Sequence, residues 1–279
     1  MMDYKEVYSR YQEGFLLLDI KDNIATITIN RPERMNSVAG NIHYGFEELL
    51  QAFNYDQEVL AVVIQGAGDR AFCAGADLGQ MAAGASASSG QPRNRITSAG
   101  GQPGAVRLLH HFLALSAPSV ACINGAAAGL GASIALMCDV SVMADTARIG
   151  DTHVNVGIVA GDGGALIWPM LVGMNKAKWH LMSGELLNAE QALDMGLVNW
   201  VVPYDKCREE ARARATQLAK KAPLAVRWTK AALNQQLWRQ MIDVQHYAFA
   251  VEEQTLGTED NLEAAKAFVE KRDPNFVGR

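Results

Sequence analysis

The sequence lacks several features that mark specialised classes of protein. Its 279 residues contain no apolar run near the ~20 residues that a membrane-spanning helix needs, and no apolar signal segment at the N-terminus. We therefore expect a cytoplasmic protein without a membrane partner. The four cysteines, Cys73, Cys122, Cys138 and Cys207, form no CxxC pair. This pattern argues against a disulfide framework and a zinc site, so we predict buried free thiols and no metal.

Excess positive charge is also missing. The chain has 25 Lys and Arg against 30 Asp and Glu, a net charge of −5, and no long basic run. Because such a balance gives no general attraction for phosphate backbones, we predict no nucleic-acid partner. Hydrophobic residues make up 49% of the chain and charged residues 20%, which is typical of globular proteins. A chain of this length has enough residues to bury a substantial core.

The N-terminal part of the chain begins with strand patterns. Apolar runs at 15–20 and 24–29, separated by Lys21-Asp22-Asn23, predict a hairpin. Helical spacing over 41–53, followed by a continuous apolar run at 59–65, predicts a helix and a buried strand. The order of strand, helix and strand indicates a parallel crossover.

A second unit of this kind spans 119–138, where a strand leads through a glycine-rich turn into a helix. Residues 79–104 are rich in small and polar residues, and we predict a loop there that closes over a ligand pocket. From 204 onward the pattern changes to amphipathic helices, one with Thr258 as its candidate N-cap. We predict an α/β core over 1–203 and a helical region over 204–279.

Two turns of small residues follow buried strands, and they could carry chemistry. The first is FCAGADL (72–78), and the second runs from Gly125 to Ala132. Turns of this kind present backbone N–H groups without side-chain obstruction, and a helix N-terminus adds partial positive charge. Together they could hold an oxyanion, whereas each alone is explained by a tight strand-to-helix turn. The second turn lacks the third glycine of GxGxxG, which argues against a dinucleotide site.

Six motifs follow one another along nearly the whole chain. They are NRPERMN (30–36), FCAGADL (72–78), INGAAAGLGASIALMCD (123–139), ARIGDTHVNVGIVAGDGG (147–164), LMSGELLNAEQALDMGLVNWVV (181–202) and EKRDPNFVG (270–278). In this order they resemble the crotonase (enoyl-CoA hydratase/isomerase) superfamily. The resemblance implies an α/β fold of crotonase-like ββα spiral type with a C-terminal helical region, which would assemble homotrimers or dimers of trimers. It also implies a role in fatty acid metabolism.

The resemblance further implies coenzyme A thioester substrates and no permanently bound cofactor. The thioester carbonyl would lie between the backbone N–H groups of Ala76 and Leu130, and losing one such donor typically costs ~3–4 kcal/mol of barrier. Arg31, Arg34 and Ala74, together with Ala76, would contact coenzyme A. Arg34 is either an ion-pair partner for a phosphate or an ordinary surface charge.

The sequence departs from this family pattern at both catalytic carboxylates. Hydratases of the superfamily use two Glu, and the matching positions here hold Ser133 and His153. Two-Glu hydration therefore does not carry over, because an unassisted serine hydroxyl is too weak an acid. Ser133 would orient a water molecule or satisfy the helix start.

His153 and Asp162 both fall in segments that build the active site of the superfamily. Ordinary packing and a glycine-flanked turn would also explain them, but together they suggest a general-base dyad. The pair resembles the arrangement in 6-oxocamphor hydrolase and related β-diketone hydrolases. Asp151 is a further nearby acid, and Glu252 or Glu253 either reaches the pocket or lies on a solvated helix face.

We therefore expect an enoyl-CoA hydratase/isomerase-family enzyme, a lyase, isomerase or hydrolase. It would act on an acyl-CoA through an enolate or tetrahedral intermediate, with His153 as general base assisted by Asp162. One alternative is a β-diketone C–C bond hydrolase that does not need coenzyme A. A second alternative is a catalytically silent acyl-CoA binder.

Overall fold

The computed structural model describes residues 3–38, 42–77, 79 and 104–279. The predicted loop over 79–104 therefore lies outside the described residues, apart from its two ends. In the part of the chain that is described, no helix combines the length and the apolar character that crossing a bilayer requires.

The described elements follow the alternation that the sequence predicts. The strands are β1 (Leu16–Lys21), β2 (Ile24–Ile29), β3 (Ala61–Gly66), β4 (Ala71–Cys73), β5 (Ser119–Ile123), β6 (Ala126–Ala128), β7 (Val140–Ala144), β8 (Arg148–Gly150), β9 (Leu187–Asn188) and β10 (Trp200–Val202). The helices are α1 (Tyr4–Ser9), α2 (Ile42–Tyr55), α3 (Gly104–Ala114), α4 (Leu130–Met137), α5 (Gly164–Val172), α6 (Met174–Ser183), α7 (Ala189–Asp194), α8 (Cys207–Ala219), α9 (Pro223–Gln240), α10 (His246–Thr255) and α11 (Glu259–Glu270).

The larger sheet has the strand order β1-β2-β3-β5-β7-β10. β1 and β2 form the predicted antiparallel hairpin, and β2 pairs with β3 in parallel, which confirms the crossover through α2. The side chains of β3 and β5 are almost all buried, as expected for apolar runs in a sheet covered on both faces. α8 packs on β3, β5 and β7, so the first long C-terminal helix covers this sheet.

The smaller sheet, of order β4-β6-β8-β9, brings the functional turns together. β4, β6 and β8 are parallel, with Ala71 paired to Ala126 and Ala128 paired to Gly150. The carboxyl ends of parallel strands meet at one edge of a sheet. The turns after β4 and β6 and the segment after β8 therefore leave the sheet side by side.

The C-terminal helices follow the predicted segments with one irregularity. α9 begins at Pro223, and Thr258 caps α11 by accepting a hydrogen bond from the backbone N–H of Asn261 at 3.2 Å. Between α9 and α10 the helix contains a π-helical turn, Met241–Gln245. α11 packs against the 3₁₀ turn His153–Val156. The C-terminal helices thus lie directly beneath the segment that carries His153.

Candidate active site

The turn after β4 is tied to the loop that follows β2. The backbone N–H of Val38 donates to the carbonyl of Gly75 at 2.7 Å, in a parallel bridge between Val38 and Ala76. In a parallel bridge of this kind, Val38 forms its hydrogen bonds with the residues on either side of Ala76 and not with Ala76 itself. The N–H of Ala76 therefore points away from Val38. The N–H of Ala74 is used within the protein, since it donates to the carbonyl of Met35 at 3.0 Å.

The two glycine turns are packed directly against each other. Gly75 has φ +79°, and a Cβ built on it would lie 2.6 Å from the carbonyl oxygen of Ala128 and 3.5 Å from the backbone nitrogen of Leu130. A Cβ on Gly131 would collide with the carbonyl of Cys73. Leu130 begins α4, and the N–H groups in the first turn of a helix have no partner within it. The predicted oxyanion donors thus lie on adjoining backbone segments.

His153 stands beside this pair of turns and between two carboxylates. Its Nδ1 lies 2.6 Å from Oδ1 of Asp151, and its Nε2 lies 3.0 Å from Oδ2 of Asp162. A Cβ built on Gly129 would lie 3.4 Å from Cε1 of the imidazole. All three side chains are largely buried, with at most 11% of any of them exposed. We refer to Asp151, His153 and Asp162 as the Asp–His–Asp cluster.

The two carboxylates of the cluster favour the charged form of His153. Burial by itself lowers the pKa of His153, but the charges of Asp162 and Asp151 and their hydrogen bonds outweigh it, so the pKa is raised well above 6.5. A carboxylate oxygen faces each ring nitrogen, so the geometry favours the imidazolium form, which can donate from both nitrogens. An imidazolium has no lone pair with which to accept a proton, so the role of His153 as general base stays a prediction.

Ser133 completes the surroundings of Asp162. The Ser133 hydroxyl donates to Oδ1 of Asp162 at 3.2 Å, and the residue is only 1% exposed. Ser133 is the fourth residue of α4, whose N-cap is Gly129. The expectation that Ser133 satisfies the helix start is therefore wrong, because its hydroxyl orients the Asp162 carboxylate instead.

Asp151 is held in a constrained position on the other side of the imidazole. It is 1% exposed, and its second oxygen lies so close to Gly164, the first residue of α5, that a Cβ on that glycine would overlap it. A helix N-terminus stabilises a neighbouring negative charge. Asp151 is thus a buried carboxylate that orients and charges His153.

The spacing of the cluster raises the question of a metal ion. Ligand atoms from its three residues lie within 4.8 Å of one another. However, the two carboxylates occupy different nitrogens of the same ring, and one ion binds only one of these nitrogens. The donors therefore fit an ion-pair network better than a shared metal site, and the absence of a metal stays a prediction.

Comparisons with known proteins identify the family. Residues 19–279 match the family model described as Enoyl-CoA hydratase/isomerase. The chain is 32% identical over 263 residues to the short-chain-enoyl-CoA hydratase of Clostridium acetobutylicum, covering 92% of this chain and 95% of that one. It is 35% identical over 265 residues to a putative enoyl-CoA hydratase of Thermus thermophilus, with coverage of 92% and 98%. The chain belongs to the enoyl-CoA hydratase/isomerase family.

Solved structures agree with this assignment. The fold superposes on the crystal structure of an enoyl-CoA hydratase from Mycobacterium avium subsp. paratuberculosis with a TM-score of 0.82 at 29% identity, covering 95% of this chain and 99% of that one. For an enoyl-CoA hydratase/isomerase from Pseudoalteromonas atlantica the TM-score is 0.83 at 27% identity, with coverage of 95% and 100%. The predicted crotonase-like fold class is confirmed.

The two arginines of the NRPERMN motif have different surroundings. The Arg31 guanidinium is buried, donates to the Ser37 carbonyl at 2.8 Å and pairs with Asp77 at 3.3 Å. The charge of Arg31 is thus used inside the protein, and its contact with coenzyme A stays a prediction. Arg34 is exposed in the 3₁₀ turn Pro32–Arg34, and its role stays a prediction.

Sequence reasoning missed Asn36, the residue that holds this loop in place. Its side-chain oxygen accepts from the N–H of Arg31 at 2.8 Å, and its amide donates to the carbonyls of Ala67 at 2.9 Å and Ala71 at 2.7 Å. Asn36 and Met35 both have positive φ. Asn tolerates this conformation better than most residues, and its place at the end of the NRPERMN motif was the available signal.

Proposed function

We propose that this protein acts on acyl-CoA thioesters and converts them through an enolate or tetrahedral oxyanion. Membership of the enoyl-CoA hydratase/isomerase family supports this proposal, as does a relative named as a short-chain-enoyl-CoA hydratase. In the proposed reaction the thioester carbonyl lies between the N–H groups of Ala76 and Leu130. Such donors stabilise charge that develops in the transition state, because they are in place before the reaction begins.

The proton acceptor in this proposal is Asp162 rather than His153. Asp162 accepts hydrogen bonds from Ser133 on one oxygen and His153 on the other. Each carboxylate oxygen has a second lone pair for a water molecule or a substrate C–H group. The His153 imidazolium would keep Asp162 oriented and offset the negative charge that forms near Gly129, while Asp151 keeps His153 protonated.

The observation that carries the proposal is the position of the Asp–His–Asp cluster beside the turn that holds Leu130. A Cβ on Gly129 would lie within 3.5 Å of Nε2 of His153, and Gly129 immediately precedes Leu130. General acid–base catalysis needs proton-transfer groups close to the reacting atoms. The cluster takes the place of the two Glu that this chain lacks.

The experiment is a mass-spectrometric turnover screen of enoyl-CoA, 3-oxoacyl-CoA and β-diketone panels. We expect turnover of at least one thioester, and the mass of the product identifies hydration, isomerisation or hydrolysis. Turnover of β-diketones alone would contradict the proposal and support the C–C hydrolase of the 6-oxocamphor hydrolase type. Binding of acyl-CoA without turnover would support a silent binder.

We further propose that the chain forms homotrimers or dimers of trimers through its helical region. Large apolar side chains are exposed on the helices, as expected for a surface that a partner covers. In the helical region they include Trp228, Leu233, Ile242, Tyr247 and Phe268. Sedimentation equilibrium at micromolar concentration tests this, and a monomer would contradict it. Location in the cytoplasm and a role in fatty acid metabolism stay predictions.

A further inference from the structure

Glu252 is a buried carboxyl group immediately behind Asp162. It lies on α10 and is 8% exposed, and its Oε2 has no hydrogen-bond partner among the described residues. A Cβ built on Gly161, the residue before Asp162, would lie 2.6 Å from that oxygen. Burying a carboxyl group without a cation of its own lowers stability. The position of this carboxyl group beside the Asp–His–Asp cluster indicates a role in the site that offsets the loss of stability.

The π-helical turn Met241–Gln245 orients the face of α10 that carries Glu252 toward the site. One extra residue in a turn rotates everything after it by about 100°. From the last residue of this turn onward, Gln245, Ala248 and Glu252 share one face, because residues three and four apart are neighbours on a helix. All three are buried. The Gln245 amide donates to the carbonyl of Gly161. The face is thus fitted to Gly161 and brings the Glu252 carboxyl next to Asp162.

The electrostatic surroundings of Glu252 are dominated by the cluster. The charged groups that act on Glu252 are the three residues of the Asp–His–Asp cluster and Glu253 on its own helix. Burial and the Asp162 charge raise the pKa of Glu252 to about 8, against the opposing effect of His153. Glu252 is therefore a carboxylic acid at neutral pH. The interaction is reciprocal, so an ionised Glu252 places a second negative charge beside the Asp162 carboxylate.

We propose that Glu252 is a positioning residue that sets the basicity of Asp162, so that the site accepts protons more strongly when Glu252 is ionised. This inference rests on the proposed function, in which Asp162 accepts the proton. Glu252 packs on the Gly161 backbone and acts through Asp162. Proton transfer to Asp162 removes a negative charge next to Glu252. The negative charge of the oxyanion forms beyond His153, at the turns of Ala76 and Leu130. Ionisation of Glu252 therefore favours the transfer of a proton to Asp162.

The test compares pH profiles of kcat/KM for the wild type, Glu252→Gln and Glu253→Gln. The Gln side chain keeps the shape of the acid but cannot ionise, and Glu253 is an exposed neighbour on the same helix. For the wild type and Glu253→Gln we expect kcat/KM at about pH 9 to exceed that at about pH 6 by about tenfold. For Glu252→Gln this ratio falls to about one.

Two results would overturn the inference. One is a Glu252→Gln enzyme that keeps the alkaline rise. The other is a loss by the same factor at every pH, which leaves the ratio unchanged and indicates a packing role only.

A second measurement needs no substrate. In ¹⁵N-histidine NMR spectra of the ligand-free protein, the His153 signals should shift in a step near pH 8 in the wild type and in Glu253→Gln. The step should be missing in Glu252→Gln. A wild type that shows the step but turns over no thioester contradicts the proposed function and leaves the coupling supported. A wild type without the step overturns the coupling itself.

Discussion

The imidazole of His153 and the carboxylate of Asp162 are joined by a 3.0 Å contact between Nε2 and Oδ2, at the turn that carries Leu130. The opposite nitrogen of the same ring lies 2.6 Å from Asp151. Two carboxylates held this way favour the positively charged form of the histidine. In the proposed reaction it is therefore Asp162 that accepts the proton.

The protonation state of His153 is directly measurable. Because its pKa is raised well above 6.5, both ring nitrogens should carry protons at about pH 7.5. The stability that the cluster contributes is fully present below the ordinary pKa and is lost as the pH rises through the raised one. ¹⁵N NMR of the imidazole tests this. A neutral ring at that pH would refute the assignment, and Asp151→Asn should lower the pKa.

Crowding at Gly75 should matter for activity. Gly75→Ala places a methyl group against the carbonyl of Ala128 at 2.6 Å and moves the turn away from the nitrogen of Leu130. We expect kcat to fall by about 10²–10³, the usual effect of losing one oxyanion donor. Gly173→Ala is the matched control, because Gly173 has φ +82° but open space around it. Equal activity losses in the two variants would point to backbone strain instead of crowding.

Stability should depend on pH through Glu252. Its pKa is raised from 4.5 to about 8, so its contribution is fully present below about pH 4.5 and is lost as the pH rises through about 8. A pKa unit corresponds to about 1.4 kcal/mol, and Glu252→Gln should gain up to a few kcal/mol over the wild type between pH 5 and 9. Urea unfolding at several pH values measures this difference. Parallel stability curves for the two proteins would count against it.

The two arginines of the first motif should behave differently on substitution. Arg31→Ala removes the buried 3.3 Å ion pair with Asp77 and the hydrogen bond to the Ser37 carbonyl, so unfolding free energy should fall by about 3–5 kcal/mol. Arg34 is exposed, and Arg34→Ala should leave stability nearly unchanged but raise KM for a coenzyme A thioester. Thermal unfolding and kinetics with the same preparations separate the effects. A KM that Arg34→Ala leaves unchanged would show that Arg34 is an ordinary surface charge and does not contact coenzyme A.

The sequence predicted the larger sheet well and the smaller one poorly. β2 alternates isoleucine with threonine and β3 continues an apolar run, and these patterns identify both as strands. β6 and β8 have three residues each, too few to show any periodicity. Their pairing, which brings the turns together, was accessible only through the resemblance of the motifs.

The chemistry of individual site residues was harder to predict than their location. His153, Asp162, Ser133, Ala76 and Leu130 all lie in the segments that form the site. The roles of His153 and Ser133 depend on partners that the fold supplies, Asp151 and Asp162. The solvated-face interpretation holds for exposed Glu253 and is wrong for buried Glu252. A π-helical turn that shifts the helical register leaves no clear pattern in one sequence.

The most direct test of the account is kcat/KM for a coenzyme A thioester that the wild type turns over, measured with Asp162→Asn. Asparagine preserves the shape of the side chain but accepts no proton at neutral pH. His110→Gln, on the exposed face of α3, serves as the control. The account predicts that Asp162→Asn lowers kcat/KM by about 10²–10⁴ through kcat, with the control unaffected. Wild-type turnover by Asp162→Asn would contradict it.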